Sequence, residues 1–280
     1  MQKIESVQDM RLLAAHFKKA GKTVALVPTM GALHAGHAAL IAMAEASAEA
    51  VIVSTFANPL AFGPSENFAG FPRSPDADRR LCEELKVDVL FAPSAEEMFP
   101  RGHSTAVIEE SVSRPLCGAS RPTHFRGVTT AVAKLLNIVR PDLLLIGQID
   151  AQRVAVIRKM IADLQFGVEV IVVPTVRESD GLAASVRNRD LSGSQRQDAL
   201  AIYAALQRAK EMVAQGVRSP DRIIAEATHI LGERRRVRVI YVAIVDPATM
   251  EPMREVVPGK TLFAIAAWVD EVRLIDNFLL

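Results

Sequence analysis

His34-Ala35-Gly36-His37 sets two imidazoles on either side of a glycine. An apolar run, Thr23-Val24-Ala25-Leu26-Val27, ends just before it, and a helix-like run, Ala38-Ala39-Leu40-Ile41-Ala42-Met43-Ala44, begins just after. Glycine lets a ligand approach the backbone closely, and a helix N-terminus offers N–H groups to phosphate. Two imidazoles beside them are placed to donate hydrogen bonds to an α-phosphate as negative charge builds on it. That chemistry is nucleotidyl transfer, in which a nucleophile attacks the α-phosphorus of ATP and pyrophosphate leaves. The competing explanation is a chance pair of surface histidines around a turn glycine. The strand before, the helix after and the entry sequence Pro28-Thr29-Met30-Gly31-Ala32-Leu33 weigh against it.

The elements that must position these residues read as α/β. Candidate strands at 24–27, 50–56, 87–92, 143–146 and 168–172 alternate with helical stretches at 76–85, 128–139 and 151–164. Apolar strands alternating with helices imply a parallel sheet covered on both faces, with ligands beyond the carboxyl ends of its strands. The last third has another rhythm: two helices, at 194–215 and 219–231, then strands at 237–245 and 261–272 joined through Asp246-Pro247 and Pro258-Gly259. We place a boundary near Val176, giving domains 1–176 and 177–280, with 177–191 as the loop between them.

Composition bounds the partners. The chain has 280 residues, half of them apolar, and a formal net charge of +1. That length supports one large or two ordinary domains, and the near-neutral charge gives no electrostatic case for nucleic-acid binding. Cys82 and Cys117 are far apart and lack a metal-ligand pattern, so neither a structural zinc nor a disulfide is expected, and a reducing compartment fits. Met1-Gln2-Lys3-Ile4-Glu5 carries no apolar signal region, and no apolar run is long enough to span a bilayer. The expectation is a soluble cytoplasmic protein with small-molecule partners and no nucleic-acid or membrane partner.

Longer segments then carry a resemblance. Pro28 through His37, Asn58-Pro59, Phe71-Pro72-Arg73, Arg121-Pro122-Thr123-His124-Phe125-Arg126-Gly127-Val128, Asn137 through Asp142, Arg177-Glu178-Ser179-Asp180-Gly181-Leu182-Ala183 and Arg187-Asn188 occur together in order. On these the chain resembles the pantothenate synthetase family over nearly its full length. The resemblance implies a Rossmann-like, doubly wound parallel sheet of the HIGH-motif nucleotidyltransferase type, with a smaller C-terminal α+β domain. It implies a homodimeric ligase that joins pantoate to an amine, β-alanine, using ATP and magnesium, through an acyl-adenylate. It assigns His34, His37, Arg121 and Arg187 to catalysis. Pro28, Met30, Gly31, Gly147, Asp150, Val176 and Ser185 join His34, His37 and Arg187 around ATP, with Asp150 on the ribose. Thr29, Met30, Asn58, Ala61, His124 and Arg153 fall at the acid. The 177–188 loop corresponds to a mobile phosphate-gripping loop, and its Glu178 and Asp180 are within reach of magnesium or else serve the turn.

The chain departs from the family pattern at four of these places. Ala61 and Arg153 replace two glutamines that hold pantoate, Ile149 replaces a phosphate-contacting lysine, and Val186 replaces a serine of the phosphate loop. Removing a cation from developing phosphate charge costs roughly a hundredfold in rate by analogy with other electrostatic stabilisers. Arg153 is therefore expected either to restore that charge from the first turn of the helix capped by Asp150, or to point to solvent. Two further readings follow: a relative that adenylates a different acid, and a catalytically weak nucleotide-binding protein.

Overall fold

A computed structural model describes residues 1–63 and 66–280, which form two compact units. Unit 1 comprises Met1–Glu110, Arg121–Gly147 and Val156–Pro174. Unit 2 comprises Thr175–Leu280 and two earlier excursions, Ser111–Ser120 and Gln148–Ala155. A single cut near Val176 leaves out those excursions. Both are short and polar enough that hydrophobic periodicity does not mark them.

In unit 1 the strands β1 (Gln2–Ile4), β2 (Val24–Thr29), β3 (Ala50–Thr55), β4 (Val89–Phe91), β5 (Leu143–Gly147) and β6 (Glu169–Val173) form one parallel sheet, ordered β1-β4-β3-β2-β5-β6. From β2 the chain steps outward through β3 to β4, then returns to place β5 on the other flank of β2. The sheet therefore changes direction between β2 and β5, and the crevice beyond their carboxyl ends is a topological switch point. Residues 24–27 and 50–53 are fully buried, because helices cover both faces, and that is why these strands read as unbroken apolar runs. The helices are α1 (Val7–Lys19), α2 (Ala35–Ser47), α3 (Pro75–Glu84), α4 (Ala95–Met98) and, after the short α5 (Cys117–Ser120) of unit 2, α6 (His124–Val139). Leu40, Ile41 and Ala44 of α2 and Cys82 of α3 share one core with Val27, Val51, Val53 and Leu145, while α1 and α6 pack together and α6 touches β2. Both cysteines are buried free thiols, and burial with the nearby Asp78 and Glu83 charges pushes Cys82 up to about 12.

Unit 2 contains the start of α7 (Ala151–Asp163), the helices α8 (Gly193–Ala214) and α9 (Pro220–Gly232), and an antiparallel sheet of β7 (Val237–Val245), β8 (Leu262–Val269) and β9 (Val272–Leu279). One face of that sheet, with Phe263, Ile265 and Leu274, packs on Ile202, Leu206, Ile223 and Leu231 of the two helices. The strand expected at 261–272 corresponds to β8 and the turn after it, and the sequence reading does not anticipate β9 beyond it. The reversal falls at Asp270, whose φ is 48°, and no glycine or proline marks it. Among the described residues no helix is long and apolar enough to cross a membrane.

Close backbone approach fixes α6 against the segment after β3. A Cβ on Gly127 would sit 2.1 Å from the Leu60 carbonyl oxygen. Asn58 seals the contact by donating from Nδ2 to the Gly127 carbonyl at 2.9 Å and accepting from the Leu60 N–H at 3.0 Å. Gly127→Ala is expected to lower unfolding free energy by about 1–3 kcal/mol through overpacking, read by urea denaturation; unchanged stability would show that this approach is not tight.

Candidate active site

The loop after β2 owes its shape to a buried acid. Asp78, in the first turn of α3, accepts the Ala32 N–H at 2.9 Å and the Leu33 N–H at 2.7 Å. Gly31 has φ 86°, and a Cβ there would lie 3.1 Å from the same carboxylate. Ala32 follows at φ 52°, a left-handed conformation that costs a residue with a side chain about 1–2 kcal/mol. Thr29 supports the same turn: its hydroxyl donates to the Ser54 carbonyl at 2.8 Å and accepts the Gly31 N–H at 3.1 Å. Pro28 and Met30 flank it, half-buried.

His34 is the N-cap of α2. Its Nδ1 accepts the Gly36 N–H at 3.1 Å, and Nδ1 of His37 accepts the His34 N–H at 3.2 Å. An imidazole nitrogen that accepts an N–H is unprotonated, so the neutral ring carries its hydrogen on Nε2. Both rings are thereby set as Nε2–H donors, with centroids 4.1 Å apart. The sequence predicts a helix start that offers free N–H groups to phosphate; in the structure most of these groups are already engaged. The N–H groups of residues 31–34 and 36–38 all have acceptors within this loop, its supports and the helix start.

A second cluster in unit 1 joins Ala61 and His124, assigned to the acid, to Arg121, assigned to catalysis. The Ala61 carbonyl accepts from Arg121 Nη2 at 3.1 Å and pairs with Nδ1 of the buried His124 at 2.8 Å. Arg121 is also paired with Glu66, Nη2 donating to Oε2 at 2.8 Å and Nε lying 2.8 Å from Oε1. Burial would raise the Glu66 carboxyl, but the Arg121 hydrogen bond, the Gly63 N–H and the Arg121 charge together hold it below its ordinary value. Gly147 ends β5, beside β2 at the switch point.

Unit 2 holds the remaining assigned residues. Asp150 caps α7, accepting the Arg153 N–H at 3.3 Å, and its other oxygen is 2.7 Å from Arg153 Nη2. The Arg153 side chain, still 38% exposed, folds back on Asp150. Ile149 lines a small cavity with Asp150, Cys117, Tyr241 and Asn277. The Val176 carbonyl accepts the Ala184 N–H, and the Ser185 hydroxyl accepts the Arg187 N–H at 3.3 Å, opening the 3-10 turn Val186–Asp190 that carries Val186 and Arg187. The loop before it is braced rather than plain. Arg177 forms a bidentate pair with Asp276 (2.6 and 3.0 Å) and stacks on Tyr203 and Phe278, each ring 4.7 Å away. Glu178 and Asp180 both pair with Arg196, at 2.6 and 2.8 Å. Asn188 donates to Glu178 at 2.6 Å and holds that carboxyl below its ordinary value, and Arg196 adds to the effect. The turn reading of these two acids fits this geometry.

Sequence reasoning misses Asp78, Glu66, Asp276 and Asn277. Asp78 and Glu66 look in sequence like ordinary surface acids. A signal for the others is present: Arg273, Asp276 and Asn277 interrupt an otherwise apolar strand.

A doubly wound parallel unit with paired histidines opening the helix after its central strand is the nucleotidyltransferase class of fold. A sequence model of the Pantoate-beta-alanine ligase family matches residues 2–279. Similar curated proteins include pantothenate synthetases of Thermotoga neapolitana, 45% identical over 280 residues with all of both chains covered, and Heliobacterium modesticaldum, 47% identical over 279 residues covering 100% and 99%. A crystal structure of pantothenate synthetase from Thermus thermophilus matches with a TM-score of 0.94 at 40% identity, covering 100% of this chain and 99% of that one. The ligase of Francisella tularensis, solved in complex with beta-gamma ATP and beta-alanine, matches at 0.83 and 29% identity, covering 100% and 97%. The chain belongs to the pantoate–β-alanine ligase family.

Asp78, buried, and Glu66, half-buried, lend themselves to test. Asp78→Ala orphans two buried amides and is expected to cost about 1–3 kcal/mol for each; nitrogen NMR of the imidazoles should also show His34 and His37 leaving the single Nε2–H tautomer. For Glu66, a folded pKa below the ordinary 4.5 contributes stability that is complete above that value and lost as pH falls through the folded one. Glu66→Gln should therefore be less stable than the unmodified chain at neutral pH, with the gap closing in acid; a gap independent of pH would refute the pairing.

Proposed function

We propose that this chain condenses pantoate with β-alanine, driven by ATP, through a pantoyl-adenylate, giving pantothenate, AMP and pyrophosphate. The paired Nδ1 acceptors of His34 and His37, which leave the hydrogen of each neutral ring on Nε2 at one helix start, carry this reading. A pantoate carboxylate oxygen attacks the α-phosphorus and the bond to the bridging oxygen breaks, releasing pyrophosphate. The two imidazoles donate to the α-phosphate as its charge rises and give up no proton. The β-alanine amine then attacks the acyl carbon, the bond to the phosphate oxygen breaks, AMP leaves, and the nitrogen sheds a proton. In this reading Asp150 holds the ribose, Ser185 and Arg187 meet phosphate, Gly147 and Val176 border the nucleotide, and Asn58, Ala61, Arg121 and His124 shape the acid side.

Magnesium enters as the counter-ion of the nucleotide. Among the described residues no group of three or more His, Cys, Asp or Glu is spaced to hold a metal ion. Phosphate oxygens and water would supply its ligands, and no step here is routed through it. The proposed assembly is a cytoplasmic homodimer, as the family resemblance implies.

One observation favours a second reading, in which the acid differs from pantoate. The methyl of Ala61 and the guanidinium of Arg153 replace two amides, and a pocket selective by hydrogen bonds loses that selectivity when they go.

Acid-dependent exchange of labelled pyrophosphate into ATP tests both. Exchange with pantoate, and AMP release on adding β-alanine, supports the first; exchange with another acid alone supports the second. His37→Asn keeps an acceptor near the Nδ1 position but lacks the outer donor, so exchange should fall about a hundredfold with the fold intact. His37→Gln, which retains the outer donor, should fall less, and equal losses in the two variants would count against the donor role.

A further inference from the structure

Strand β9 brings three polar side chains into the interior of unit 2, and each grips a different segment. Arg273 donates to the Cys117 sulfur at 3.3 Å, Asp276 holds Arg177, and Asn277 reaches the turn at 148–150. Asn277 is only 4% exposed. Its Nδ2 donates to the Gln148 carbonyl at 2.9 Å and the Ile149 carbonyl at 3.0 Å, and its Oδ1 accepts from Gln148 Nε2 at 3.0 Å. Both amide hydrogens are thus spent on two successive carbonyls immediately before Asp150. Beyond Asp150 the helix cap and the Arg153 pair fix the other side.

We propose that Asn277 is a positioning residue for nucleotide recognition, setting the Asp150 carboxylate by clamping the backbone that leads into it. The inference rests on the reading of Asp150 as the ribose ligand. An asparagine suits the task because a single planar group offers two donors to two carbonyls and an acceptor to the side chain between them. An alanine leaves two carbonyls without donors. An aspartate keeps the acceptor but turns a negative charge toward both carbonyls, so neither substitution preserves the clamp. A shift of about 1 Å at a positioning group is enough to cost roughly a hundredfold in rate.

The test compares ATP with 2′-deoxy-ATP and 3′-deoxy-ATP in pyrophosphate exchange driven by whichever acid supports it. The unmodified chain should prefer ATP over at least one analogue by about ten- to a hundredfold, the worth of a hydrogen bond to a charged group. Asp150→Ala should abolish that preference. Asn277→Ala and Asn277→Asp should shrink it severalfold or more while Asp150 is still present. Because the preference is a ratio, it is insensitive to the fraction of folded enzyme, and a general loss of stability would lower all rates alike. Asp150→Ala with its preference intact would overturn the ribose reading and the proposal with it. Collapse in Asp150→Ala, but full preference in both Asn277 variants, would overturn the proposal alone.

Discussion

A carboxylate seated in two successive backbone amides decides how unit 1 can meet a phosphate. Asp78 saturates the N–H groups of Ala32 and Leu33, and the Thr29 hydroxyl and the two imidazole Nδ1 atoms take those of Gly31, His34 and Gly36. A glycine-rich loop that cradles phosphate does so with unfilled amides of this kind. Here an internal anion has filled them. On the proposed reading, recognition of an entering phosphate shifts from these amides to side chains, those of His34 and His37. This also accounts for a histidine as N-cap, where serine or asparagine caps better on intrinsic preference. Those residues satisfy the helix but carry no donor at the reach of an imidazole Nε2.

The same economy governs unit 2. Gln152 accepts the Cys117 N–H and donates to the Val112 and Pro115 carbonyls, so it holds the 111–120 excursion, as Asn277 holds the other. Buried side-chain amides with unfilled donors would be costly. Spent on the carbonyls of irregular segments, they stabilise backbone that no helix or strand satisfies. The polar interior is concentrated where irregular chain must be exact in position, and the apolar cores lie elsewhere.

What the sequence made legible follows from this division. The parallel strands and their helices were readable because burial on both faces leaves continuous apolar runs, as at 24–27 and 50–53. The histidine pair was readable because its spacing and its strand-to-helix context are local. The excursions and the residues that hold them were not. Nothing near Asp78 in sequence announces that its partners are at 32 and 33, and Asn277 grips carbonyls more than a hundred residues earlier. Arg153 shows the same limit: its place on the first turn of α7 is legible, but its pairing with Asp150 is not. The turn at Asp270 escaped because a non-glycine residue in a left-handed conformation leaves no compositional trace.

The pairing of arginines extends the argument to charge. Arg121 is matched by Glu66, Arg153 by Asp150, Arg177 by Asp276 and Arg196 by Glu178 with Asp180. A guanidinium already bound to a carboxylate attracts a second anion far less than an unpaired one, since the field at distance is that of a dipole. An incoming acid or triphosphate must therefore share these cations or displace an internal carboxylate, and only interactions stronger in the transition state than before it speed the reaction. On the proposed reading the histidine donors meet that condition: their Nδ1 contacts hold them in place beforehand, so charge growing on an α-phosphate would increase their hold without any carboxylate having to move. On the same reading, an isoleucine at 149 would take away long-range attraction for the triphosphate and leave this local term untouched, giving weaker capture of the nucleotide with the donors at the α-phosphate still in place.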